Sequence, residues 1–249
     1  HSIDYFTVLV GEGFTVLSID YRLGFRKFMD AGRVNGSTKA KEFLSMFEQT
    51  VFMAVEDLFS ATNYVLDNAD GWNIDRNVII TSGSSAGAIS VLQGEYERCN
   101  RGELAHVLPD GFRYAGVVAF AGAVYSNKGH LKWNGTPAPL QLFHGDADKN
   151  VPYGKIKFGK FGFFGSEYIA RRYDKNGYPY YFYVEENASH RVASSPMSSQ
   201  REEILSFLND YVINGRQLTT NSVVVDGSMP VVKKKRFGLK TYVKSNFSE

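Results

Sequence analysis

Apolar and polar positions change period several times along this chain, and each change predicts an element. Ile3, Phe6, Leu9 and Val10 fall on one helical face and are followed by Gly11 and Gly13, the pattern of a helix closed by glycine. Residues 14–19 (FTVLSI) form a short apolar run, the pattern of a buried strand, closed by Asp20-Tyr21-Arg22-Leu23. Residues 24–42 are polar and glycine-rich and predict a long surface loop. From residue 43 to 66, apolar side chains recur at helical spacing (43, 44, 47, 51, 55, 58, 59, 65 and 66), which predicts a long amphipathic helix. A turn at Asp70-Gly71-Trp72 leads to a second apolar run, Val78-Ile79-Ile80, then the glycine-bounded pentapeptide 83–87 and a helix to about Cys99.

Further strands are predicted at 114–124, 140–144 and 180–185, and helices at 166–175 and 202–213. Strands alternating with helices predict an α/β fold: a doubly wound, mostly parallel sheet with helices on both faces. Residues 1–215 would form one catalytic domain, and 216–249 a basic tail or appended hairpin.

Composition narrows the class. The chain has 249 residues, 43% hydrophobic and 22% charged, as in an average globular protein. That excludes wholesale disorder. No apolar run reaches the ~18 residues a membrane-spanning helix needs. The single cysteine, Cys99, excludes an internal disulfide. Net charge is +2, but the segment 233–249 carries six basic residues against one acid, which leaves −3 for the remaining body. Nothing in that distribution demands a nucleic-acid partner.

The chemistry concentrates in Gly83-Ser84-Ser85-Ala86-Gly87, a G-x-S-x-G pentapeptide with an apolar β-run before it and a helical pattern after it. A sharp strand-to-helix turn explains the small residues, because larger side chains at 83 and 87 would meet their neighbours. Such a turn lifts the Ser85 hydroxyl above the sheet, and the N–H of Ala86 becomes a candidate oxyanion-hole donor. A serine hydroxyl is a poor nucleophile at neutral pH and requires a base, which itself requires an orienting acid. In the order serine, acid, histidine, His190 is the histidine that follows the acid candidates Asp146 and Asp148, both just after the strand at 140–144. Asp146 is expected to organise its loop.

In combination these segments resemble the α/β-hydrolase family, in its carboxylesterase and lipase-like branch. Ser18-Ile19-Asp20-Tyr21-Arg22-Leu23 resembles the strand end before the variable loop. Gly83–Gly87 resembles the nucleophile elbow, and Ala188-Ser189-His190 the histidine loop. His144-Gly145-Asp146-Ala147-Asp148-Lys149-Asn150-Val151-Pro152 resembles the acid loop H-G-x-x-D-x-x-V-P, whose acid position is Asp148.

The resemblance implies an ester hydrolase with Ser85 as nucleophile, His190 as base and Asp148 as the orienting acid, acting without metal or organic cofactor. It implies small-molecule or carbohydrate ester substrates, with short or aromatic acyl groups. A secreted or periplasmic location is compatible with the family. The His-Gly-Gly-Gly-type stretch that supplies further oxyanion donors in this branch has no counterpart here, so the chain is expected to lack the N-terminal oxyanion segment. A serine peptidase of the prolyl-oligopeptidase type, and a non-catalytic relative used for binding, are the rival readings.

Weaker signals remain. Ser84 and the aromatic run Phe158, Phe161, Phe163 and Phe164 are candidates for the substrate pocket. Asp20 and Arg22 are candidates for a buried pair. Lys233-Lys234-Lys235-Arg236 is expected to be a solvated edge.

Overall fold

The computed structural model describes residues 2–34, 38–232 and 237–247. The basic run 233–236 lies outside the described residues. In chain order the elements are α1 (Ser2–Gly11), α2 (Gly24–Asp30), α3 (Ala40–Asn68), β1 (Ile80–Ser84), α4 (Ala86–Asn100), β2 (Gly116–Phe120), β3 (Ala123–Ser126), β4 (Leu140–Gly145), β5 (Lys155–Phe158), β6 (Phe161–Gly165), α5 (Ser166–Asn176), β7 (Tyr180–Glu185), α6 (Pro196–Ser199), α7 (Arg201–Phe207), β8 (Thr219–Val224) and α8 (Leu239–Phe247). Short 3₁₀ turns cover Glu103–Val107 and His190–Ala193, and a π-helical turn, Leu208–Ile213, continues α7.

Five strands make the central sheet in the order β1-β2-β4-β7-β8, and every neighbouring pair is parallel. Strand alternation then assigns the two faces. Val117, Ala119, Leu140, Leu142, Tyr180 and Phe182 share one core with residues of α3, α4 and α5. Val118, Phe120, Phe143 and Tyr183 face the other way, onto Tyr5 of α1, Met197 of α6 and Ile204 and Phe207 of α7. The fold is thus a doubly wound α/β sheet covered on both faces. With both faces covered, β2 and β4 are buried along their whole length, and exposed positions do not alternate with buried ones.

Three expectations are corrected. Residues 14–19 form no strand. Phe14 and Val16 are half-buried, Leu17 and Ile19 are exposed, and the segment has no ladder partner. An apolar β-pattern becomes a strand only beside a neighbour that can share its hydrogen bonds, and among the described residues β1 pairs with β2 alone. The loop expected at 24–42 contains α2, because Phe25 and Phe28 pack on the α3 aromatics. The strand expected across 114–124 breaks in two. Ala121 takes a left-handed conformation (φ 55°), and the chain leaves the main sheet to enter a second, three-stranded antiparallel one, β3-β6-β5.

The segment 216–249 contributes an edge strand and a helix. β8 lies parallel to β7, with its half-buried and exposed residues alternating. α8 docks on the aromatic cluster of α3 and the small sheet, where Tyr242 and Phe247 meet Phe43 and Tyr242 meets Phe47. Cys99 is a buried free thiol of the α4 core.

Phe120 and Phe143 stack at 5.0 Å beneath the C-terminal ends of β2 and β4, both fully buried. Phe143→Ala should therefore cost about 3–5 kcal/mol of stability. Urea unfolding checks this, and a loss below about 1 kcal/mol would contradict the described packing.

Candidate active site

The strand-to-helix turn after β1 is tight for identifiable reasons. Ser85 caps α4 with φ 52° and ψ −114°, a conformation that L-residues rarely adopt. Its N–H donates to the carbonyl of Phe120 (2.8 Å) and its carbonyl accepts from Ile89 (3.0 Å), so sheet and helix together hold the strain. A Cβ on Gly83 would stand 2.3 Å from the carbonyl oxygen of Gly87, so glycine is obligatory there. Gly87 differs from expectation: a Cβ would meet only the Tyr21 hydroxyl, at an ordinary 3.9 Å. Ala86 occupies the first position of α4, where a backbone N–H has no intrahelical acceptor.

The turns that end β1, β4 and β7 meet at the C-terminal edge of the parallel sheet, the edge where open α/β sheets bind ligands. The Ser85 Oγ lies 2.8 Å from Nε2 of His190, and Nδ1 of His190 lies 2.7 Å from Oδ2 of Asp148. An ionised carboxylate only accepts, so Nδ1 donates to Asp148 and Nε2 is left to accept the serine proton. His190 remains about a quarter exposed, whereas the Asp148 side chain is fully buried.

Four nitrogens surround the Asp148 carboxylate. Oδ1 accepts the N–H groups of Asn150 (2.7 Å) and Val151 (3.0 Å), and Oδ2 faces His190 and, at 3.4 Å, Nε2 of His144. Burial by itself raises the carboxyl pKa. The hydrogen bonds and charges of His144 and His190 outweigh it and hold the group well below the usual carboxylate range.

Asp146 does different work. Its Oδ1 accepts the N–H of Asn187 at 2.7 Å and ties the acid loop to the histidine loop. Those loops approach so closely that a Cβ on Gly145 would stand 2.3 Å from the Ala188 carbonyl oxygen. Beside His190 lies a cavity of about 240 Å³, formed by Ala147, Lys149 and Asn150 of one loop, Asn187 and Ser189 of the other, and Val232.

The pocket candidates are placed elsewhere. The Ser84 hydroxyl donates to the carbonyl of Ala193 (2.7 Å), bracing the histidine loop against the turn after β1. Phe158, Phe161 and Phe163 belong to the β5–β6 hairpin and line a separate apolar cleft with Phe43, Phe47, Tyr125 and Tyr242; neither Ser85 nor His190 lines it. Phe164 points to the other side of β6, fully buried against Tyr168. Alternation along β6 divides these aromatics between two cores and gathers none of them at Ser85. Arg22 pairs not with Asp20 but with Asp57 (Nε–Oδ1 2.8 Å) and Glu56 (2.9 Å) on the exposed side of α3.

His144 is the residue that sequence order passed over, because it precedes the acid. Its signal was present nonetheless: it stands four residues before Asp148, at the end of the strand that carries the acid loop. Among the described residues, no cluster of three or more His, Cys, Asp or Glu side chains could hold a metal ion. Among the described residues, no helix is long and apolar enough to cross a membrane. Comparison with protein-family models, with curated proteins and with solved structures finds no match to this chain.

The depressed carboxyl predicts a pH dependence of folding. A group with its pKa lowered in the folded state adds stability above its unfolded value near 3.8, and that stability is lost as pH falls further. Urea midpoints should therefore drop below about pH 4, and less steeply in Asp148→Asn. Equal slopes for the two proteins would show that Asp148 is not the group responsible.

Proposed function

We propose that this protein is a serine hydrolase of carboxylic esters, with a site of the α/β-hydrolase kind. The observation that carries the reading is the unbroken chain Ser85–His190–Asp148, at 2.8 and 2.7 Å, with its serine on a strained turn at a helix N-terminus.

The chemistry follows from the placement of each group. Nε2 of His190 removes the Ser85 proton as Oγ bonds to the ester carbonyl carbon. The carbonyl π pair moves onto oxygen, where the Ala86 N–H and the N-terminal end of α4 favour negative charge. The imidazolium that forms is stabilised across Nδ1 by Asp148, which stays ionised. Collapse of the tetrahedral intermediate breaks the bond to the alkoxy oxygen, and His190 protonates that oxygen as the alcohol leaves. Water then repeats the sequence on the acyl-serine: His190 takes its proton, the acid departs, and Ser85 is regenerated. No step requires a metal or an organic cofactor. The substrate class proposed is a small-molecule or carbohydrate ester.

A fluorophosphonate probe and p-nitrophenyl acetate test the reading. Labelling and turnover should vanish in Ser85→Ala, while Ser84→Ala still labels. A lack of labelling in the unaltered protein, with turnover no better than buffer, would sink the reading. Asp148→Asn should lower kcat by roughly 10⁴, the cost of a wrong imidazole tautomer in other triads. Asp146→Asn, which keeps an oxygen able to accept the Asn187 N–H and so leaves the brace between the two loops in place, should cost far less; equal losses would undo the assignment of the acid.

A further inference from the structure

The triad does not end at Asp148. On the far side of the carboxylate, Nε2 of His144 stands 3.4 Å from Oδ2 and 3.4 Å from the Val151 carbonyl oxygen, and Nδ1 stands 2.7 Å from the hydroxyl of Ser166. Ser166 also reaches the Gly122 carbonyl, at 3.4 Å. His144 and Ser166 have no solvent exposure. Four side chains, Ser166, His144, Asp148 and His190, therefore run in one polar line from the α5 side of the sheet to the Ser85 hydroxyl. Water cannot replace a missing donor within its buried part.

Resting on the hydrolase reading above, we propose that His144 is a positioning residue, a second imidazole donor that orients the Asp148 carboxylate and shares its charge with His190. The tautomer decides whether this works. Both groups that Nε2 faces, the Asp148 carboxylate and the Val151 carbonyl, can only accept, so the proton belongs on Nε2. Nδ1 is then a bare acceptor, and Ser166 supplies the O–H that satisfies it. The opposite tautomer would set a nitrogen lone pair against a buried carboxylate oxygen and leave Oδ2 with His190 alone. With both imidazoles donating, all four contacts of Asp148 are filled, and the carboxylate holds the His190 proton less tightly than it would with a single partner.

The other titratable group packed on His144 is Tyr153, whose ring meets the imidazole edge-on at 5.7 Å and whose phenol burial pushes upward. Beyond it, Glu167, Asp146, Arg171 and Glu186 act on Tyr153. His144 and His190 are the side chains that lower the Asp148 carboxyl, chiefly through their hydrogen bonds.

Nitrogen-15 NMR of the unaltered protein reads the tautomer without any variant. A proton on Nε2 of His144 is expected, and a proton on Nδ1 overturns the proposal. His144→Phe removes both nitrogens at similar size, and His144→Gln restores an N–H donor. The Phe variant should show kcat about tenfold lower at similar KM. The acid limb of its kcat/KM profile should move to higher pH, because the less satisfied carboxylate holds the His190 proton more tightly; Gln should recover much of both. The downfield Nδ1–H resonance of His190 should shift in His144→Phe, and this readout needs no substrate. If His144→Phe does not fold, the same resonance and profile are read in Ser166→Ala, which should move them in the same direction by less. An unmoved resonance and pH limb in a folded variant overturn the positioning role alone. A resonance that moves in a protein that neither labels nor turns over ester supports the coupling and sinks the hydrolase reading.

Discussion

Asp148 buries a full negative charge at the C-terminal end of β4, and a buried charge costs several kcal/mol unless donors surround it. Much of the local architecture answers that demand. The loop after β4 folds back so that the N–H groups of Asn150 and Val151 reach Oδ1. The loop after β7 is drawn in until Gly145 and Ala188 nearly touch, which delivers His190 to Oδ2. His144 closes the remaining side. If any of these donors were lost, the carboxyl would drift up toward its ordinary pKa, and the imidazole would lose the partner that fixes its tautomer.

The parallel sheet makes this arrangement possible. Because β1, β2, β4 and β7 all run the same way, the turns that follow them open on one edge, and side chains far apart in sequence converge there. The Phe120–Phe143 stack and the buried Val118 anchor the sheet directly beneath that edge. The Phe120 carbonyl also receives the Ser85 N–H, so the strained serine is supported by the strand next to its own. Strain at a single residue persists only when the surroundings over-determine it, and here the sheet, α4 and the absence of a side chain at position 83 do so.

Much of the fold was legible in the sequence because local pattern and tertiary environment agree there. The period of α3, the apolar runs of β4 and β7, and the amphipathic α5 each encode the neighbour they meet. Legibility failed where a neighbour decided the outcome. Residues 14–19 carry a strand pattern without a strand to pair with. Residues 114–124 read as one apolar run, although a left-handed Ala121 splits it between two sheets. The aromatic run Phe158, Phe161, Phe163 and Phe164, a candidate pocket lining, lies in a hairpin because β3 offers it an edge.

The site divides in the same way. Residue type and order made Ser85 and His190 candidates, because a strained turn demands small residues and a serine nucleophile demands a base with an acid behind it. Type and order left Asp146 and Asp148 both open, and the resemblance of residues 144–152 to the acid loop chose Asp148. What they could not determine is distance across the sheet. That the Ser84 hydroxyl braces the histidine loop, that the hairpin phenylalanines lie in other cores, and that His144 stands behind the carboxylate are all consequences of strand order and pleat. Side-chain chemistry is local and can be read from the chain. Which of two faces a residue occupies, and what waits there, depends on contacts between segments that the chain brings together only by folding.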